Sequence, residues 1–141
     1  MKEITTKLSI ILFNSFIINH RYFAIQKGGL YFARNQYINQ NTIENILKNK
    51  ESFLVYQEDY NYLKWICFDF DINKEFIDSG EFGKNKEIFY NELIENIQIL
   101  VSFLDQQEID YLLEFSGNRG LHIWILFDDK ITRQDAFIIF Q

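Results

Sequence analysis

The chain has 141 residues, among them 15 Phe, 8 Tyr and 2 Trp, which is one domain's worth of sequence with ample material for a core and excludes a disordered chain. Twenty Asp and Glu against fourteen Lys and Arg give a formal net charge of −6. That argues against a broad basic surface tracking a nucleic-acid backbone, though not against nucleotide chemistry run by metal ions and a few local cations; one cysteine excludes an internal disulfide and a cysteine-based zinc site.

In chain order, apolar residues at 4, 8, 11, 12, 16 and 18 predict a helix over 4–19. Its most apolar part, 10–18, is interrupted by Asn14 and Ser15 and is too short to cross a bilayer. No small-residue cleavage site follows, so a signal peptide is not expected; the reading is a reducing, cytoplasmic setting with no membrane partner. Strands over 22–26 and 30–34 flank Lys27-Gly28-Gly29, a two-residue turn signal that predicts a hairpin. Asn41, with Glu44 three residues on, reads as the cap of a helix to about Lys48. A strand over 52–57, a polar turn over 58–61 and a long strand over 62–72 follow. A polar connection over 73–83 leads to an amphipathic helix over about 85–105, whose buried stripe is Phe89, Leu93, Ile97, Leu100 and Leu104. A strand over 111–116, a loop over 117–120 and a strand over 121–127 come next, and Thr132 caps a last helix with Asp135 in its first turn. That helix is short and apolar when the sequence stops at Gln141, so the expectation is the front part of a longer protein. There is no proline, repeat or linker, and residues 1–141 read as a single domain. The predicted fold class is α+β, a mostly antiparallel sheet with helices packed on one side.

The long strand carries Trp65-Ile66-Cys67-Phe68-Asp69-Phe70-Asp71-Ile72. Alternation places Asp69 and Asp71 on one face with Trp65 and Cys67, and the apolar residues on the other. Two adjacent carboxylates on a sheet repel and resist desolvation, so something must neutralise them, and a divalent metal is the usual answer. The same residues also allow a strand that ends at Phe68, with both aspartates solvated in a loop.

The second constellation is Phe115-Ser116-Gly117-Asn118-Arg119-Gly120-Leu121-His122-Ile123-Trp124. Its glycines permit positive φ and let main-chain amides approach an anion. Arg119 offers a bidentate fork to phosphate oxygens, His122 a donor near neutral pH, and Ser116 a hydroxyl. A solvated loop arginine and a core histidine are the plainer alternatives. Together, the carboxylate strand and the cationic turn form two halves of a metal-plus-phosphate site.

Phe-Asp-Phe-Asp followed about 45 residues later by Ser-Gly-Asn-Arg-Gly-Leu-His-Ile-Trp resembles the archaeo-eukaryotic primase superfamily. The stretch Leu12-Phe13 with Arg21-Tyr22-Phe23-Ala24 is similar to primase-polymerase domains of bacterial conflict and mobile-element systems. The resemblance implies an RRM-like nucleotidyltransferase core. In it, Asp69 and Asp71 would be catalytic and ligate two magnesium or manganese ions. Ser116, Arg119 and His122 would bind an NTP or dNTP, with a weaker contact from Asn118. It also implies a single-stranded or primed nucleic-acid template and a helicase or nuclease domain in the parent protein. A third carboxylate, which such proteins carry on a later strand, has no match after His122: Asp128 and Asp129 fall at a strand end and Asp135 in a helix. The implied activity is nucleotide transfer to a 3′-hydroxyl by two-metal catalysis; the alternative is a truncated or inactive primase-like domain that binds without chemistry. A calcium loop from Asp69-x-Asp71-x-Asn73 is disfavoured because Lys74 replaces the turn glycine and Gly80 the bidentate glutamate. An Asp-x-Asp phosphatase is disfavoured by Asn73, and a nuclease stays open on the carboxylates alone.

Overall fold

In the computed structural model, which describes residues 2–117 and 119–139 (the side chains of Lys2 and Ile139 aside), the elements follow the hydrophobic pattern but not at every boundary. The order is α1 (Lys2–Phe16), β1 (Tyr22–Lys27), β2 (Leu30–Asn35), α2 (Gln40–Lys48), β3 (Phe53–Val55), β4 (Glu58–Asp59), β5 (Tyr62–Asp71), α3 (Lys74–Asp78), α4 (Glu81–Lys84), α5 (Lys86–Gln106), β6 (Leu112–Phe115), β7 (Gly120–Thr132) and α6 (Arg133–Ile139). This is an α+β chain with antiparallel sheets. It divides into two units. The first takes the chain up to Ile66 and again from Leu126; the second takes Cys67–Ile125. No helix among the described residues is long and apolar enough to cross a membrane.

In the first unit β2, β1 and β3 form an antiparallel sheet. Lys27 pairs with Leu30, and Gly28 and Gly29 take φ of 58° and 81°, the left-handed pair that a two-residue hairpin turn demands. Phe23 points into a core with Ile17, Ile38, Ile43 and Ile46, all at most 2% exposed. Helix α1 stops at Phe16 rather than Asn19, because Asn19 turns its side-chain oxygen onto the N–H groups of Arg21 and Tyr22 and starts the turn into β1. The cap of α2 is Asn39, not Asn41: its Oδ1 accepts from Thr42 N–H at 3.0 Å, and Thr42 Oγ1 accepts the Asn39 N–H at 3.4 Å. Both asparagines are competent caps, and Thr42 completes a reciprocal capping box with Asn39. The expected polar turn over 58–61 is shorter. Glu58 and Asp59 pair with Leu63 and Tyr62, leaving Tyr60 and Asn61 as the turn at φ of 49° and 70°. The turn lies within the expected span; a tyrosine at positive φ gives no turn signal, so the short strand β4 before it was not legible.

In the second unit the polar connection after β5 holds two short helices. Asn73 Oδ1 accepts from Glu75 N–H to start α3, and Phe76 and Phe82 meet Phe89 with ring centroids 4.8 and 6.1 Å apart. Helix α5 buries Leu93, Ile97 and Leu104, as its stripe predicts. The strand order here is β5–β7–β6. β6 and β7 are antiparallel, with Leu113 opposite Ile123 and Glu114 opposite His122. Asp71 lies against Gly120 and Asp69 reaches His122, so β5 and β7 also run antiparallel. β7 continues to Thr132; Asp128 and Asp129, expected at a strand end, lie within it.

Candidate functional site

Strand alternation builds one polar face in the second unit. β5 contributes Cys67, Asp69 and Asp71, β7 contributes Gly120, His122 and Trp124, and β6 contributes Glu114. The intervening residues Ile123 and Ile125 are buried on the opposite face. A groove of about 710 Å³ runs between β5 and α5, lined by Asp69, Phe70 and Asp71 from the strand and by Leu93, Leu100 and Phe103 from the helix. The carboxylates thus stand at the border of an apolar trough.

Asp71 is held by Arg119. Both Nε and Nη2 of the guanidinium lie 3.0 Å from Asp71 Oδ2, and the Arg119 carbonyl accepts the Ile72 N–H at 3.1 Å. The second carboxylate oxygen lies over Gly120, where a Cβ would sit 2.1 Å from Asp71 Oδ1 and 2.6 Å from the Phe70 carbonyl. Only glycine lets β7 come this close to the aspartate strand. The turn before it is closed by Ser116: its Oγ accepts the Gly120 N–H and its own N–H donates to the Gly120 carbonyl, both at 3.0 Å. Gly117 takes φ of 86° in that turn.

His122 lies between two carboxylates. Nε2 is 3.4 Å from Asp69 Oδ1, and Nδ1 is 3.0 Å from Glu114 Oε2. Trp124 Nε1 donates to the same Glu114 oxygen at 2.7 Å, and the His122 and Trp124 rings meet edge to face at 5.9 Å. The hydrogen bond with His122, and after it the one from Trp124, hold the Glu114 carboxyl below the usual carboxylate range against the opposing effect of burial. Burial first, then the charges of Asp69 and Glu114, push the Cys67 thiol up to about 11.

Four of the residues singled out in the sequence therefore meet on one face: Asp71 pairs with Arg119, and Asp69 lies beside the His122 imidazole. The aspartates lie on the strand, not in a loop beyond Phe68. Ser116 is part of the turn's own hydrogen bonding, and Asn118 lies outside the described residues. Sequence reading missed Glu114. Its signal was available: the hairpin register through the Ser116–Gly120 turn sets it opposite His122.

A hard divalent cation would find suitable oxygens here. The Asp69 side chain is 62% exposed, with the His122 contact at 3.4 Å on one oxygen, and Asp71 stands two residues on along the same face. Among the described residues no three His, Cys, Asp or Glu side chains converge as a ready-made ligand cage. One or two carboxylates completed by water and substrate phosphate is the usual magnesium arrangement, and the donor set fits it.

Residues 24–141 match the family model described as TOTE conflict system, Archaeo-Eukaryotic Primase domain. Comparison with curated proteins gives no match.

Proposed function

The chain belongs to the archaeo-eukaryotic primases of the TOTE conflict-system type, a primase-like nucleotidyltransferase family, and from that membership we propose that Asp69, Asp71, Arg119 and His122 are the centre of a template-directed nucleotidyl transfer. Family members take nucleotide and nucleic-acid substrates and are generally divalent-metal dependent. The observation that carries the reading is the meeting of two carboxylates with a guanidinium and an imidazole on one sheet face: Asp71 with Arg119 at 3.0 Å and Asp69 with His122 at 3.4 Å.

In this reading Asp69 and Asp71 hold magnesium or manganese, whose chemistry when bound is to lower the pKa of an attacking 3′-hydroxyl and offset charge on departing pyrophosphate. Arg119 and His122 bind β- and γ-phosphate oxygens of an NTP or dNTP, so the protein contributes position and electrostatics rather than a covalent intermediate. Ser116 closes the turn that presents Arg119, and Gly120 removes the bulk that would drive Asp71 away. The 3′-hydroxyl belongs to a primer annealed to the template or, on a single-stranded template, to an initiating nucleotide. The single cysteine, free in the fold, suits a reducing cytoplasm.

The test is incorporation of labelled nucleotide by the full chain on primed and unprimed templates, with magnesium or manganese. Asp69→Asn and Asp71→Asn should each abolish metal-dependent incorporation while leaving the fold intact. Retained activity in both variants would overturn the assignment, and a wild type that binds nucleotide without incorporating it would mark a binding domain.

A further inference from the structure

His122 has an anchor that the nucleotidyl-transfer reading leaves without a task. Glu114 stands directly opposite it on β6, and Trp124, two residues further along β7, shares that face. Two donors converge on one oxygen, Glu114 Oε2: His122 Nδ1 at 3.0 Å and the Trp124 indole at 2.7 Å. An indole N–H can only donate, so it fixes Oε2 as an acceptor aimed at β7. The carboxyl is held in its ionised form by those same hydrogen bonds. An ionised carboxylate can only accept, so the imidazole must turn an N–H toward it, and that nitrogen is Nδ1.

Resting on the reading above, we propose that Glu114 is the positioning residue for His122, anchoring its Nδ1–H so that the Nε2 edge, a donor when both ring nitrogens carry protons, faces the phosphate of an incoming nucleoside triphosphate. The ring nitrogens lie on different edges, so anchoring one aims the other. Nε2 faces the Asp69 side, 3.4 Å from Oδ1, and the edge-to-face contact with Trp124 at 5.9 Å restrains the ring plane. Without Glu114 the imidazole loses its reason to keep that orientation. A half-turn about the Cβ–Cγ bond then exchanges nitrogens for carbons at the phosphate position. The outer partners of metal-binding histidines likewise fix the ring's orientation by occupying the other nitrogen. A metal takes that ring's lone pair, whereas a phosphate oxygen needs the Nε2–H.

The experiment uses ¹⁵N-labelled full chain and two readouts: the ring-nitrogen resonances of His122, and calorimetric binding of inorganic tripolyphosphate in the presence of magnesium. In wild type Nδ1 should carry a proton shielded from exchange. Glu114→Ala should lose that signature and weaken tripolyphosphate about tenfold, the worth of one charge-assisted hydrogen bond. Glu114→Gln, whose amide oxygen still accepts from Nδ1, should restore most of both. If the alanine variant fails to fold, Glu114→Met keeps the length without the acceptor and carries the same expectation. An unchanged His122 signature in a folded variant, or a changed signature with unchanged binding, overturns the proposal. A wild type that does not bind tripolyphosphate overturns it together with the nucleotide reading, whereas a binding wild type with an indifferent Glu114→Ala overturns the positioning alone.

Discussion

Gly120→Ala is the sharpest perturbation the site offers. A Cβ built at this position meets Asp71 Oδ1 at 2.1 Å and the Phe70 carbonyl at 2.6 Å. The carboxylate can swing away, but only by leaving its place beside Arg119. The carbonyl belongs to the backbone of β5, so relief there means prising β7 from β5 by at least a few tenths of an ångström. Overpacking of this kind costs about 1–3 kcal/mol. Gly117→Ala is the control. Nothing lies within 4 Å of a Cβ there, so its cost, about 1–2 kcal/mol, is confined to holding a non-glycine residue at φ of 86°. Urea unfolding of both variants should show a lower midpoint at unchanged slope. Nucleotide incorporation should then separate them: Gly120→Ala displaces Asp71 and should lose most of the activity, while Gly117→Ala should keep the larger share under conditions where both are folded. Asp71→Ala removes the nearer clashing atom, so the Gly120→Ala and Asp71→Ala costs should fall short of additivity by about 0.5–3 kcal/mol. A Gly120→Ala variant within about 0.5 kcal/mol of wild type, with full activity, would refute the close-approach argument.

Arg119→Ala should chiefly weaken triphosphate binding, by about 1.5–3 kcal/mol for lost charged hydrogen bonds, measured as a rise in the nucleotide dissociation constant; an unchanged constant counts against the phosphate role. Cys67, with its thiol pushed up to about 11, should resist alkylation by iodoacetamide at pH 8. Its thiolate fraction falls about 100-fold against an ordinary thiol, part of which is offset by the greater nucleophilicity of a more basic thiolate, so labelling of the folded chain should be about tenfold slower than in urea. Asp69→Asn removes the second cause of that shift and should speed labelling; no change would detach Cys67 from the acid face. Because the thiol's folded value is raised, its contribution to stability is complete below the ordinary value of about 9 and is lost as pH climbs toward 11, which a pH series of unfolding midpoints would detect. Asn39→Ala should cost about 0.5–2 kcal/mol in unfolding, while Asn41→Ala should cost little; the reverse order would refute the observed cap.

Period and spacing carried the long elements. The α5 stripe at 3.6-residue spacing, the Gly28-Gly29 turn and the alternation around Asp69 and Asp71 each encode their structure locally, and each is found where the sequence puts it. What was not legible departed from the commonest local signals. The choice of Asn39 over Asn41 goes with a reciprocal box completed by Thr42, where the usual box has glutamate or glutamine. The turn expected over 58–61 is present, but its first two residues pair as β4, and it closes on a tyrosine and an asparagine at positive φ, where local statistics favour glycine. Within the site, the aspartates, Arg119 and His122 were visible because the motifs name them. Glu114 was passed over because it sits in a strand as an isolated acid, and its meaning appears only once the register sets it against His122 and Trp124.

That register bears on how two neighbouring carboxylates persist on a sheet. The expectation was that something must neutralise them, a divalent metal being the usual answer. In the fold each aspartate already has a cation from the β6–β7 hairpin: Arg119 on Asp71, and the imidazole of His122, when protonated, on Asp69. These pairs are partly solvated, so each contributes little to stability by itself. Their consequence is positional. The groups proposed to meet phosphate are stored within hydrogen-bond reach of the groups proposed to hold metal, so little side-chain ordering remains to be done when a metal-bound triphosphate arrives. The same pairing opposes premature binding, since an anion alone must compete with Asp71 for Arg119. Asp71→Asn, which keeps the shape and removes the charge, should therefore raise tripolyphosphate affinity in EDTA while abolishing metal-dependent incorporation. Equal metal-free affinity in wild type and Asp71→Asn would show that Arg119 is not held back by its partner.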